Sequence, residues 1–193
     1  MSNIFQLVYQ HPLFSAEDIK VIAKAHQKIE IAKGSALLKE GEIANEYFLL
    51  EKGIVRAFVH DYNNNEITTE FFVENEIVIV PASLFQRNSS QENVQAVTDC
   101  VLWKISFNDF QHLFHSVFGF SEWGRLWFTT QVFSLKQKSL DIVTETATNR
   151  YLKLLKEKPQ IIQNAPLKQI ASFLGITDTS LSRIRKDLLK ISS

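Results

Sequence analysis

Seven short runs typical of β-strands follow one another through the first part of the chain, and they limit the possible folds more than any other feature. Turn-forming residues separate the runs, which recur at a spacing of roughly 8–12 residues. This spacing favours an antiparallel sandwich or barrel, because alternating βαβ units need a helix between successive strands. The runs are 36–38, 47–50, 55–60, 67–73, 77–80, 93–97 and 101–105. The tract DYNNNE at 61–66 predicts a hairpin turn, since Asn tolerates the positive φ that such turns require.

Helical patterns flank this β-rich region. Over 15–28, Ser15 is a capping residue, Asp18 follows three positions later, and apolar residues recur on one face. Three further helical patterns cover 107–114, 121–146 and 149–157. Pro159 ends the last of them. The order of elements predicts an α+β chain with an antiparallel β domain, a long helix and a C-terminal helical unit.

The long helix over 121–146 carries two apolar stripes. The first has the alternating three- and four-residue steps of a coiled-coil seam and consists of Trp123, Leu126, Thr130, Phe133, Gln137 and Leu140. The second lies on another face and consists of Phe128, Val132, Leu135 and Ile142. If one stripe packs on the β domain, the other needs a partner, and a second copy of the helix is the simplest choice. We therefore predict a homodimer through the first stripe; the alternative is that one monomer buries both stripes.

The charges of the chain are unevenly distributed, although they sum to zero. Residues 1–149 hold 12 Lys and Arg against 18 Asp and Glu, whereas residues 150–193 hold 9 against 3. A short basic segment attracts a polyanion, which the acidic remainder repels. The division favours two spatially separate functions, one of them at a nucleic acid. A solvated basic helix without a partner is the alternative.

The stretch LKQIASFLGITDTSLSRIRKDLLK at 167–190 has the spacing of a helix-turn-helix. Ala171 is small where two helices would cross, and Gly175, four residues later, accommodates the left-handed conformation that turns the chain. Thr177 then caps the second helix. The inner face of that helix is apolar and consists of Leu181, Ile184 and Leu188. An ordinary helical hairpin in a core is the alternative.

The outer face of the second helix has the composition of a surface that reads the major groove. Thr179, Ser180 and Arg183 project near its start, where base edges would lie, and a bidentate contact from Arg183 to guanine would contribute ~1–3 kcal/mol of discrimination. Asp178 departs from the basic pattern and suits helix capping or contact with a cytosine amine. Four residues are better placed for phosphates, which position a protein without reading sequence: Thr177, Ser182, Arg185 and Lys186.

With these features, the chain resembles the Crp/Fnr superfamily of bacterial regulators, the relatives of the catabolite activator protein, over roughly residues 12–190. The resemblance rests on the long helix and on the motifs KGSALLKEGEIANEYFLLEKGIVRAF (33–58), FFVENE (71–76) and IASFLGITDTSLSRIRKDL (170–188). Gly34, Gly41 and Gly53 match turn glycines of the family, and the short form is similar to Bacteroidetes regulators. The resemblance implies a jelly-roll β-roll of the cyclic nucleotide-binding type over 1–120, a dimerisation helix over 121–146 and a helix-turn-helix domain over 147–193.

The resemblance also implies partners and an effector. The partners are palindromic double-stranded DNA, a second copy of the chain, RNA polymerase and a small effector in the β-roll. Cyclic-nucleotide binders of this family use a Gly-Glu pair for the ribose and an Arg-Ser pair for the cyclic phosphate. Here Val80 occupies the Glu position and Ser90 the Arg position. Binding of cAMP or cGMP in the usual manner is therefore disfavoured, because a buried phosphate without a cation is costly. Arg87 would substitute for the missing cation and Glu76 for the missing ribose ligand. The candidate effector pocket consists of Glu76, Arg87, Ser89, Ser90 and Gln91.

Other functional classes find less support in the residues. The single Cys100 excludes an internal disulfide and a cysteine-bound iron–sulfur cluster, and neither a catalytic residue set nor a metal site is predicted. A cupin-type enzyme would need a His-x-His pair, which the chain lacks, and the histidines have no spacing that suggests haem. The absence of a membrane-length apolar run and of a secretory signal favours the cytoplasm. The main alternative is a ligand- or partner-binding module that has lost DNA binding, since no wing follows the second helix.

Overall fold

The computed structural model describes residues 2–191 and confirms the α+β class. Met1, Ser192 and Ser193, at the ends of the predicted terminal domains, lie outside the described residues. The strands are β1 Gln27–Ile31, β2 Ala36–Leu38, β3 Glu46–Lys52, β4 Val55–His60, β5 Glu66–Phe72, β6 Ile77–Val78, β7 Asn93–Ala96 and β8 Cys100–Ser106. The helices are α1 Ile4–Val8, α2 Ala16–Lys24, α3 Pro81–Gln86, α4 Phe107–Ser116, α5 Phe120–Thr144, α6 Ala147–Glu157, α7 Pro159–Asn164, α8 Leu167–Phe173 and α9 Asp178–Ile191. Nowhere in residues 2–191 does a helix combine the length and hydrophobicity that a bilayer crossing requires.

Two antiparallel four-stranded sheets form the β domain, which we call the β-roll. The first sheet has the order β1-β8-β3-β6, and the second has the order β2-β7-β4-β5. Side chains alternate between the two faces of each strand. On β4, Val55 and Ala57 therefore point into the space between the sheets, whereas Arg56 points to the outside. The β4–β5 hairpin turns at Asn64, which has a φ of 63°, as the DYNNNE tract predicts.

The structure differs from the sequence-based expectation mainly in short elements. The predicted helix over 15–28 ends at Lys24, and the chain then enters β1, where Gln27 lies opposite Lys104 of β8. Ser15 and Asp18 form the predicted capping box. The helices α1, α3 and α7 were not predicted, because five or six residues are too few to show a 3.6-residue period. Pro159 follows the end of α6, as expected, and also begins α7.

Three apolar clusters hold these elements together. One lies between the two sheets and includes Phe48 and Leu102. A second lies on the outer face of the first sheet, where α1, α2, α4 and the start of α5 cover it, and includes Phe5 and Phe120. The third joins the second sheet to the C-terminal helices around the fully buried ring of Phe71. The C-terminal helices are thus packed against the β-roll.

A chain of buried hydrogen bonds crosses the second cluster. The His26 Nδ1–H donates to the carbonyl of Ile22 over 2.7 Å, which leaves Nε2 as the acceptor for the hydroxyl of Tyr9 at 3.0 Å. The Tyr47 hydroxyl in turn donates to Tyr9 over 2.8 Å. Burial lowers the pKa of His26 from 6.5 to about 4, although the bond to the Ile22 carbonyl acts in the opposite direction. His26 is therefore a neutral packing residue, whereas His60, His112 and His115 are exposed.

We expect His26 to make the folded state sensitive to acid. Between pH 6.5 and pH 4, His26 takes up a proton in the unfolded chain but not in the folded chain, so the free energy of unfolding falls as the pH falls through this window. The loss from this one residue amounts to roughly 3 kcal/mol. Urea unfolding of the wild type and of His26→Gln at pH 7 and pH 4.5 measures it, with His112→Gln as the exposed control. The wild type and the control should lose more stability than His26→Gln; equal losses in all three would contradict the assignment.

Candidate functional site

The helices α8 and α9 form the crossed pair that the C-terminal motif predicts. Gly175 between them has a φ of 68°, and the amide of Ile176 donates to the carbonyl of Ala171 over 3.0 Å. The Thr177 hydroxyl accepts from the amide of Ser180 at 3.2 Å and so caps α9. Ala171 and Leu181 are fully buried between the helices. Small side chains at the crossing and a left-handed glycine in the turn therefore produce the geometry of a helix-turn-helix.

The outer face of α9 is exposed and basic. In the described part of the chain, no carboxylate lies within ion-pair distance of Arg183, Arg185 or Lys186. The hydroxyls of Thr177 and Ser180 bind each other at 2.9 Å, so both belong to the helix cap as well as to the surface. All the predicted DNA-contacting residues are exposed on or next to α9: Thr177, Thr179, Ser180, Ser182, Arg183, Arg185 and Lys186. The structure thus brings these residues together on one element.

The β-roll covers α8 and leaves α9 open. On the β5 side of the second sheet, the ring of Phe71 meets that of Phe173 with 5.2 Å between centroids, and the amide of Thr68 donates to the Ser172 hydroxyl over 3.2 Å. A second contact joins the α6–α7 junction to the β5–β6 turn, where the Lys158 ammonium lies 2.7 Å from the Glu76 carboxylate. The exposed face of α9 therefore remains accessible while the helix pair is docked.

The long helix α5 is packed at its start and exposed over the rest of its length. Trp123, predicted in the dimer seam, is only 6% exposed, and its indole N–H donates to the carbonyl of Val8 over 3.1 Å. Trp123 therefore belongs to the monomer core, because α1 and the first sheet enclose it. From Leu126 onward the seam is open to solvent, and Phe133 is 69% exposed.

Only the first residue of the second stripe of α5 packs on the β-roll. This differs from the expectation that one whole stripe would pack there. Phe128 contacts Phe85 of α3, with 5.4 Å between ring centroids. Farther along, Lys138 of α5 forms an ion pair with Glu70 of the second sheet. Among the described residues it is the only ion pair between α5 and that sheet. The rest of the stripe is exposed and consists of Val132, Leu135 and Ile142. An isolated monomer therefore exposes two apolar faces along the same helix.

A cavity of about 490 Å³ opens into the β-roll between the two sheets. Its floor consists of buried apolar side chains, namely Phe48, Val78, Val80 and Val94. Its rim is more polar and includes the exposed Glu42 and Asn45 and the half-buried Glu46. The volume and the mixture of an apolar floor with a few polar groups are typical of small-molecule sites.

The predicted effector-pocket residues do not line this cavity. The Arg87 guanidinium donates to the Ala44 carbonyl at 2.7 Å and to the Asn45 side chain at 2.6 Å. Ser90 is buried, and its hydroxyl donates to the carbonyl of Glu92 over 2.7 Å. Glu76 contacts Lys158, as described above, whereas Ser89 and Gln91 are exposed loop residues. Val80, the residue at the expected Glu position, does line the cavity.

Sequence reasoning missed the residues of the rim. Glu42 lies next to the left-handed Gly41 in the run KEGE, and hydrogen bonds join its loop to the loop of Ser90. The amide of Gly41 donates to the Ser90 carbonyl at 2.8 Å, and the amide of Ser90 donates to the Glu42 carbonyl at 2.7 Å. The charged run KEGE was the one available signal, and nothing local indicates that it faces a cavity.

Residues 28–117 match the model of the cyclic nucleotide-binding domain. The β-roll has the cyclic nucleotide-binding fold. Within this domain the match covers all eight strands except the first residue of β1, and it also covers α3 and α4. No curated protein matches the chain at the level of sequence. The similarity of the β-roll to the cyclic nucleotide-binding domain thus rests on the family model and on the fold.

Solved structures extend the similarity beyond the cyclic nucleotide-binding domain. The c-di-GMP-responsive regulator CLP of Xanthomonas campestris has a TM-score of 0.70 at 16% identity, over 92% of this chain and 93% of that one. The catabolite activator protein of Thermus thermophilus has a TM-score of 0.60 at 19% identity, over 99% and 88%. FixK2 of Bradyrhizobium japonicum has a TM-score of 0.72 at 15% identity, over 86% of each chain. The resemblance to Crp/Fnr regulators is confirmed at the level of the fold.

Proposed function

We propose that this chain is a sequence-specific DNA-binding transcriptional regulator of the Crp/Fnr type. In this proposal residues 1–120 sense a small effector, residues 121–146 form the dimer interface, and residues 147–193 bind DNA. The exposed basic face of α9 carries the proposal, since Arg183, Arg185 and Lys186 have no carboxylate partners within the described residues and remain available to phosphates and bases. The similarity of fold to CLP, the catabolite activator protein and FixK2 supports it.

A dimer would arrange two such faces for a palindromic site. Two-fold symmetric helix-turn-helix proteins bind half-sites whose centres lie about one helical turn of DNA apart. The exposed seam from Leu126 to Leu140 supplies a surface on which a second copy can pack. Because α5 runs from the β-roll cluster to α6, it also connects the sensor to the DNA-binding helices.

The third apolar cluster supports communication between effector and DNA. Phe71 lies on β5, next to β4, whose inner face belongs to the cluster between the sheets. The same Phe71 packs against Phe173 of α8. A movement of the second sheet on effector binding would therefore change the docking of α8 and the orientation of α9.

We expect Arg183→Ala and Lys186→Ala to affect DNA binding in different ways. A preferred site is first selected from random duplexes, and affinities for that site and for single-base variants are then measured at several salt concentrations. Arg183→Ala should lower discrimination at one base pair by about tenfold, because a bidentate base contact is lost. Lys186→Ala should weaken binding to all duplexes alike and reduce the salt slope by about 1.

Lys168→Ala is the matched control, because Lys168 is an exposed lysine on α8. The substitution removes the same charge as Lys186→Ala, but at a position outside α9. It should change the base preference of the wild type little. Selection of no preferred sequence would reject the proposal, and the chain would then be a binding module with a cyclic nucleotide-binding-like fold.

A further inference from the structure

The ionisable residues that line the β-roll cavity are all acidic. Within the described residues the lining contains no lysine, arginine or histidine, whereas it includes Glu42 and Glu46. The remaining lining residues are apolar except for Asn45. A cavity with an apolar floor and a negative rim excludes anions and favours cations by simple charge complementarity.

The two carboxylates of the rim differ in their partners. Glu46 lies 3.6 Å from the Lys104 ammonium, so a cation of the chain balances part of its charge. Glu42 accepts a hydrogen bond from the backbone amide of Lys39 at 2.9 Å through one carboxylate oxygen. No lysine, arginine or histidine of the described residues lies within ion-pair distance of Glu42. Glu42 therefore presents an unbalanced negative charge at the rim.

The two arginines nearest to the cavity do not line it, and hydrogen bonds to other groups of the chain hold both of them. Arg56 points away from the cavity, since its neighbours Val55 and Ala57 occupy the inner face of β4. Its guanidinium contacts Glu66, donates to Gln95 at 2.9 Å and lies 4.0 Å from the centroid of the Phe58 ring. Arg87 is held by Ala44 and Asn45, as described above. The described residues that line the cavity would thus offer a cyclic phosphate two carboxylates and no cationic side chain.

We propose that the β-roll cavity binds an organic ammonium ion with an apolar, ring-sized body. The body occupies the floor formed by Phe48, Val78 and Val94, and the ammonium lies at the rim against Glu42. The assignment of this ligand as an effector rests on the proposed regulatory function, but the binding itself does not. A charge-assisted hydrogen bond at a partly exposed carboxylate then provides the selectivity for an amine over its neutral analogue.

Calorimetric titration of the full chain with four probes tests the proposal. Tryptamine, tryptophol and indole-3-acetate share one ring system and differ in charge, and cAMP represents the cyclic nucleotides. At low salt, tryptamine should bind about fivefold or more tightly than tryptophol, because one ion pair at a partly exposed rim contributes on the order of 1 kcal/mol. Indole-3-acetate and cAMP should bind more weakly than tryptophol.

Two isosteric variants locate the charge. Glu42→Gln keeps an oxygen for the Lys39 amide and should bring the affinities for tryptamine and tryptophol to equality. Glu40→Gln is the control, because Glu40 is an exposed acid of the same loop that faces His60 and does not line the cavity; it should keep the wild-type preference. Absence of binding by tryptamine, equal affinities in the wild type, or tighter binding of cAMP would overturn the proposal.

The DNA experiment separates this proposal from the regulatory function. If the chain prefers tryptamine but selects no DNA sequence, the result supports the ammonium site and rejects the regulatory function. If the chain selects a palindrome but does not prefer tryptamine, the result supports the regulatory function and rejects the ammonium site.

Discussion

Replacing Phe133 by glutamate should convert the proposed dimer of this chain into monomers. Phe133 occupies a d position of the seam, so the two-fold axis would bring two carboxylates into one apolar interface. Desolvating these charges without partners should weaken the dimer by at least about 3 kcal/mol, which is more than a hundredfold in its dissociation constant. Sedimentation velocity over a range of protein concentrations measures the change.

The monomer itself should tolerate this substitution. The Phe133 side chain is 69% exposed and takes no part in the apolar clusters of the described residues. Its circular dichroism spectrum should therefore match that of the wild type. Ser139→Glu adds the same charge to the same helix at an exposed c position, away from the seam, and should leave the mass unchanged.

Loss of the dimer should also reduce DNA affinity. A palindromic site binds the dimer through two linked half-sites, and a monomer retains only one set of contacts. We expect an affinity for the selected palindrome at least about a hundredfold lower at equal salt. A wild-type mass in Phe133→Glu would reject the seam, and the second stripe around Val132 and Leu135 would become the interface to test.

Gly53→Ala should be the most destabilising glycine substitution in the β-roll. Gly53 lies between β3 and β4 with a φ of +105°. An added Cβ would lie 2.6 Å from the Asp99 carbonyl oxygen and 2.7 Å from the Cys100 sulfur. Backbone strain and the steric clash together should cost about 2–5 kcal/mol, because the carbonyl cannot move without disturbing the start of β8. Urea unfolding of the wild type and the variant measures the difference.

Gly34→Ala separates strain from clash. Gly34 also has a positive φ, +86°, but an added Cβ would find no atom within 4 Å. The cost there should be strain alone, about 1 kcal/mol. Equal losses of stability in the two variants would show that backbone strain alone causes the loss at both positions. The close approach of Gly53 to Asp99 would then have little effect on stability.

The sequence patterns were most informative where a local rule operates. The β-rich runs between turn residues predicted β2 to β8, and the Ser15 and Thr177 caps formed as expected. The left-handed Gly175 and the buried Ala171 produced the predicted helix crossing. These features depend on residues within one or two turns of each other, so their physical causes can be read along the chain.

Long-range packing decided the rest. The last two residues of the predicted 15–28 helix belong to β1 because β8 offers them a partner. Trp123 is not available to the seam because α1 encloses it. Of the candidate pocket residues, Glu76 pairs with Lys158 away from the cavity, and Arg87 bonds to Ala44 and Asn45 at the edge of the cavity without lining it. Glu42, which was not a candidate, lies at the rim. A loop side chain can turn towards either of two surfaces, and only the surrounding fold determines which one.

The sequence by itself thus determined the α+β class, the long helix with its two apolar stripes and the basic helix-turn-helix, because hydrophobic period, capping and charge are properties of contiguous segments. Only the tertiary structure decided that α8 docks on β5 while α9 stays exposed. It also decided that the cavity between the sheets is acidic. Both depend on which side chains distant segments bring together.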